Sequence, residues 1–129
     1  MIDERIPNVV RESFASKDLN GQDAWTTWTP TYSFTTATSL TVTGRFHVVG
    51  RQCFFQVKSS GTSLATTAGT DYIALPLTAV GLGGAGAMTN DTTNVAVGTG
   101  HIDVATSRFY PPAQAASGNT FTFAGWFEV

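Results

Sequence analysis

The chain has 129 residues, a formal charge of −2, 12 % charged residues and one cysteine. That length suits one domain whose core needs no disulfide staple, and a lone Cys53 excludes an intrachain disulfide and a multi-cysteine metal site. The charge balance offers no attraction for nucleic acid or an anionic membrane surface. No run approaches the roughly 20 apolar residues of a membrane span or forms a secretory leader, so synthesis in the cytoplasm is expected.

Residues 1–23 carry eight of the sixteen charges. Pro7 suits the first turn of a helix, and Val9, Val10 and Phe14 form a short apolar stripe that reaches to about Lys17. The segment reads as an arm or linker, with or without a short helix. Two roles stay open for it: a partly ordered linker, or an element that docks on a neighbouring subunit or a larger assembly. In the second role Val9 and Phe14 would make the contact.

From residue 24 to 129 the chain has β character. Charged residues are scarce and Thr is abundant, and Thr fits a pleated, half-buried surface. The stretch from Trp25 to Phe34 alternates loosely around Pro30, which cannot donate to a ladder; an edge strand or two short pieces are expected. Thr35 to Ser39 reads as a connector. From Leu40 to Val48, Leu40, Val42, Phe46 and Val48 recur every second position, with Gly44 in the same row. Gly50-Arg51 breaks the run, and Cys53, Phe55 and Val57 continue the apolar face in a second strand. This is a β-hairpin, greasy on one side and polar on the other. Cys53, in the apolar row, reads as a buried structural thiol.

Ser59 to Thr70 reads as a loop or weak edge strand, and Asp71 to Leu77 as a strand broken at Pro76. The four glycines of Gly81–Gly86 lack the Lys-Ser/Thr ending of a phosphate loop and read as a flexible loop or bulge. Ala87–Asn90 is a short strand, and Asn90-Asp91-Thr92 a turn. Asn94–Gly98 and His101–Thr106 are strands joined by a Thr99-Gly100 turn, with Val95, Val97, Ile102 and Val104 facing the core. Tyr110-Pro111-Pro112 to Asn119 reads as a loop. The last run places Phe121, Phe123, Phe127 and Val129 on one face, with Gly125 as a bulge. Short strands separated by turn signals predict an all-β fold, a β-sandwich or jelly roll of antiparallel strands.

Catalytic patterns are weak. His47 and His101 fall on polar strand faces with no nearby His at zinc-ligand spacing. Asp91 and Asp103 have ordinary turn roles available, and no Ser sits in a Gly-x-Ser-x-Gly elbow. No enzyme, metal or cofactor is expected. Binding fits better: Trp25, Trp28, Tyr32, Phe109 and Tyr110 lie among polar residues or prolines, where rings can stack on sugars while Asn, Asp or Arg side chains meet hydroxyls. Asn90, Asp91 and Arg108 are the polar candidates beside Trp25, Trp28 and Tyr110. Phe54 stands on the polar face of its strand, between Gln52 and Gln56, and must be covered by another layer or a neighbouring subunit. His47, on the same face, joins it as an interface candidate.

Several short motifs resemble the receptor-binding tip domains of bacteriophage tail fibres and tail spikes. They are the Trp28-Thr29-Pro30-Thr31 opening, the Gly44–Arg51 run leading into Cys53–Lys58, and Ile73-Ala74-Leu75-Pro76-Leu77. Gly125-Trp126-Phe127 stands where such domains end near G-x-Y. The resemblance spans residues 25 to 129. It departs in Phe46, where a tyrosine is usual, and in having no long shaft ahead of the domain. It implies a β-sandwich that forms a homotrimer on a virion and binds a bacterial surface polysaccharide or protein. It also implies that the N-terminal arm meets other tail proteins, and that loops 81–94 and 107–118 frame the site. The competing readings are a structural virion protein, such as a decoration or adaptor piece, and a carbohydrate-binding module of a bacterial enzyme.

Overall fold

A computed structural model describes residues 25–34 and 36–129, with the backbone alone at 36–38 and 116–119. The proposed arm of residues 1–23, with Val9 and Phe14, lies outside the described residues. The alternating hairpin is the frame of the molecule: β3 (Thr36–Val49) and β4 (Gln52–Thr66) pair antiparallel, with Phe46 opposite Phe55 and Val48 opposite Cys53. Their two-residue turn is Gly50-Arg51, with φ of +61° at Gly50 alone, as in a type II′ turn. The faces fall as the alternation dictates. Cys53, Phe55 and Val57 are buried, while Arg45 and Lys58 are exposed.

Around the hairpin stand β1 (Thr26–Trp28), β2 (Tyr32–Ser33), β5 (Tyr72–Ala74), β6 (Gly84–Asn90), β7 (Val95–Asp103), β8 (Arg108–Tyr110) and β9 (Gln114–Glu128). Hydrogen bonding orders them β1-β3-β4-β9-β6-β7-β8-β5-β2, all antiparallel. The chain is all-β, as predicted, and its strands make one curled sheet. β7 turns the corner: Val95 to Gly100 pair with β6, and His101 to Asp103 pair with β8. The curl brings the inner faces of the two ends together, with the rings of Phe55 and Phe109 5.8 Å apart. Phe55, Phe109, Phe121, Phe123 and Phe127 form the centre of the core. At about 0.8 kcal/mol per buried CH₂ equivalent, such rings dominate the stabilisation.

Trp25–Phe34 does split at Pro30, into two pieces that become the two edges of the sheet. That is where a residue without an N–H costs least. The terminal strand is tied in as expected: β9 runs between β4 and β6, and the Val129 amide donates to the Arg51 carbonyl at 3.0 Å.

Several boundaries differ from the sequence reading. β3 already begins at Thr36 inside the expected connector. β4 continues through Ser59 to Thr66 by register shifts opposite β3 and β9, so that the expected loop or weak edge strand is a strand in the sheet's interior. β5 stops at Ala74, short of Pro76. The expected loop from Tyr110 to Asn119 holds the end of β8 and the start of β9. Val95 is 54 % exposed rather than in the core.

The largest correction concerns glycine. Gly125 is no bulge: it lies in unbroken register between Phe55 and Gly86. Gly86 in turn pairs with Gly100, so the expected Thr99-Gly100 turn is continuous strand. Three glycines thus adjoin across β9, β6 and β7. A Cβ on Gly86 or Gly100 would come within 2.5 Å of the Phe109 ring. Phe109 closes the curl by lying on backbone where side chains are missing.

Candidate functional site

Alternation on β3, β4 and β9 gives the outer face of the sheet its own aromatic row. Trp25 packs at a tilt on His47 with centroids 4.2 Å apart, and His47 stacks on Phe54 at 5.3 Å. Phe54 is in register with Trp126 on the next strand, which is 37 % exposed. Arg45 lies over the Trp25 ring at 4.6 Å and donates to Gln56 Oε1 at 2.8 Å. Phe54 is therefore half-covered by its own chain, between His47 and Trp126. The Nδ1 of His47 is buried there without a hydrogen-bond partner. Trp25, assigned to ligand binding, and Phe54 and His47, assigned to a subunit contact, share this one patch. Beside the row, Thr27, Thr43, Arg45, Gln56, Lys58 and Thr122 border a shallow groove of about 440 Å³.

Trp28 points the other way. It sits opposite Gly44 on the inner face, where its ring fills the space of the missing side chain and meets Phe46 edge-on at 5.9 Å. Asn90 and Asp91 are engaged in holding the β6–β7 turn. Asn90 is 2 % exposed, and its Oδ1 accepts from the Thr92 and Thr93 amides. Asp91 accepts from the hydroxyls of Thr89 and Thr122 and pairs with Lys58 at 3.6 Å.

Arg108 and Tyr110 do come together, on the outer face of the small-strand end. There the register places His101 beside Tyr110 and Asp103 beside Arg108. Tyr110 stacks with His101 at 6.5 Å on one side and meets Tyr72 at 6.1 Å on the other. The Arg108 guanidinium lies 3.8 Å from the Tyr72 ring centroid and donates a long hydrogen bond, 3.5 Å, to the Tyr110 hydroxyl. That bond leads the causes that raise the arginine's basicity further. Tyr110, His101 and Asp103 line a cleft of about 570 Å³ walled by Ala68-Gly69 and Pro111-Pro112. The walls are braced: Thr66 donates to the Pro112 carbonyl at 2.6 Å, and buried Asp71 accepts from the Thr67 amide at 2.8 Å. Tyr72 and His101 were not assigned to the site from sequence. Two-residue alternation places His101, like Tyr110, on an outer face, but only the register of β7, β8 and β5 makes them neighbours.

Among the described residues there is no cluster of three or more His, Cys, Asp or Glu side chains able to hold a metal ion, and no helix long and apolar enough to cross a membrane. Cys53 is fully buried, and burial pushes its thiol up to about 11, so it stays protonated at neutral pH. Searches of protein-family models, of curated proteins and of solved structures each find no match to the chain.

Proposed function

We propose that this chain is a receptor-binding module of a bacteriophage tail, carried on the virion as a homotrimer, and that it holds a bacterial surface glycan in the cleft beside Tyr110. The observation that supports this best is the aromatic row His101–Tyr110–Tyr72, of which His101 and Tyr110 line a cleft of about 570 Å³ together with Thr99 and Asp103. An aromatic face flanked by hydroxyl, carboxylate and backbone groups suits a pyranose, which presents C–H bonds to the ring and hydroxyls to its neighbours. The motif resemblance of residues 25–129 supplies the tail context, and the exposed outer row ending in Trp126 is a surface suited to a subunit contact. Residues 1–23 would then join the module to other tail proteins.

The test is adhesion of the purified chain to host cells and to extracted surface polysaccharide. Binding that Tyr110→Ala abolishes with folding intact is the expected result. A chain that folds and assembles but binds neither cells nor polysaccharide would instead be a structural piece of the virion.

A further inference from the structure

Next to the cleft, on the far side of Tyr110 from His101, stand groups that differ in kind from those of a neutral-sugar site. Arg108 is fixed on two sides, by the Tyr72 face and by the Tyr110 hydroxyl. A guanidinium has five N–H donors and no acceptor, so most of its donors remain for a ligand. Because the Tyr110 oxygen accepts from Arg108, its own proton is directed away from the guanidinium and toward whatever lies beside it. Two adjacent groups therefore offer N–H and O–H donors side by side. Among the described residues Arg108 forms no ion pair. Its register neighbour Asp103, which lines the cleft with Tyr110, is engaged in its own turn: one oxygen accepts from the Ala105 amide at 3.2 Å and the other from the Thr106 hydroxyl.

We propose that Arg108 and Tyr110 recognise the oxyanion of an acidic sugar, a carboxylate or a phosphate, while the sugar ring lies against Tyr110 in the cleft. The inference rests on the glycan-binding reading and narrows its ligand. A planar donor fork suits either oxyanion in two parallel hydrogen bonds, and these charge-assisted bonds are the strong ones. Stacking on Tyr72 holds the fork in place before the ligand arrives, so little freedom is lost on binding.

The experiment is an NMR titration of the full chain with D-glucuronate, glucose 6-phosphate and D-glucose. At least one acidic sugar should shift the Arg108 side-chain N–H and the signals of Tyr110 and Gly69, with an affinity at least ten-fold above that of glucose. The two acids compared with each other identify the preferred oxyanion. Arg108→Gln should bring the acid down to the glucose level, Arg108→Lys should restore part of the difference, and added salt should weaken the acid but not glucose. Equal binding of all three sugars, sensitive to Tyr110→Ala and indifferent to Arg108→Gln, would overturn the oxyanion assignment and leave the glycan site standing. No shift at the cleft with any sugar at tens of millimolar also overturns the assignment. Adhesion to host polysaccharide then decides separately whether the glycan site itself survives.

Discussion

The sheet carries two aromatic systems back to back, and they are built by opposite means. On the inner face, Phe55, Phe109, Phe123 and Phe127 are sealed from water, and Gly86 and Gly100 are left bare so that Phe109 can settle on the strands themselves. On the outer face, Trp25, His47, Phe54 and Trp126 cover one another only in part, and the same holds for His101, Tyr110 and Tyr72 across the bend. Rings of the first kind are held by complementarity of volume. Rings of the second kind keep surface free, which costs stability and makes it available for binding. A substitution should therefore act on folding or on recognition according to the face it strikes.

The heaviest blow is expected inside. Phe55→Ala or Phe109→Ala should lower the unfolding free energy by about 3–5 kcal/mol, read by denaturant titration, because each leaves a ring-sized void between the closing ends of the sheet. An effect below about 1 kcal/mol at both positions would mean that the curl is not closed by these rings. The glycine floor sharpens the test. Gly100→Ala places a Cβ where Phe109 lies and should cost about 1–3 kcal/mol. Trimming the ring with Phe109→Leu should recover part of that cost, so the double variant loses less than the two single variants together. Strict additivity would separate Gly100 from Phe109.

This floor is also where the sequence is hardest to read. The hairpin is legible because its period of two is uninterrupted from Leu40 to Val57 apart from its turn, and a polar face lies opposite each apolar one. Gly86, Gly100 and Gly125 look like turn or bulge signals, since a glycine's local preference is the same whether it bends the chain or makes room for a distant ring. Only Phe109, at 9 residues from Gly100 and 23 from Gly86 in sequence, explains the place of those two, and its segment reads as loop; Gly125 is explained by the close approach of the Ala85–Gly86 backbone. The site fails for the same reason. Tyr110 and Arg108 adjoin in sequence and are found together, whereas Tyr72 and His101 reach them through strand order, which periodicity does not encode. Asn90, Asp91 and Trp28 have the residue types of a sugar site and are engaged by the fold instead.

A smaller effect follows from Cys53. Its thiol is held up to about 11 in the fold by burial, against an ordinary value of 9 in the open chain. Unfolding therefore releases a proton between these values: the stabilisation is fully present below pH 9 and is lost as pH rises toward 11. The loss is on the order of 2–3 kcal/mol. Cys53→Ala, though less stable at pH 8 for its lost volume, should show a shallower decline in melting temperature over the same window. Parallel declines for the two proteins would remove Cys53 as the cause.

On the outer face the expected losses of stability are smallest and the readout changes. Tyr110→Ala should lower ligand affinity by about 1–3 kcal/mol with little loss of stability. Trp126→Ala should cost about 1 kcal/mol of stability or less, the value of one cross-strand aromatic neighbour, since the ring's other side already faces solvent. Its consequence lies in assembly. If the row Trp25–His47–Phe54–Trp126 is where subunits meet, sedimentation of the native chain should give three times the chain mass, and Trp126→Ala should shift the population toward monomer at equal folding. Retention of the full assembled mass in both Trp126→Ala and Phe54→Ser would move the subunit contact off this face. The outer row would then be a second surface free for ligand, beside the Thr- and Gln-lined groove that it borders.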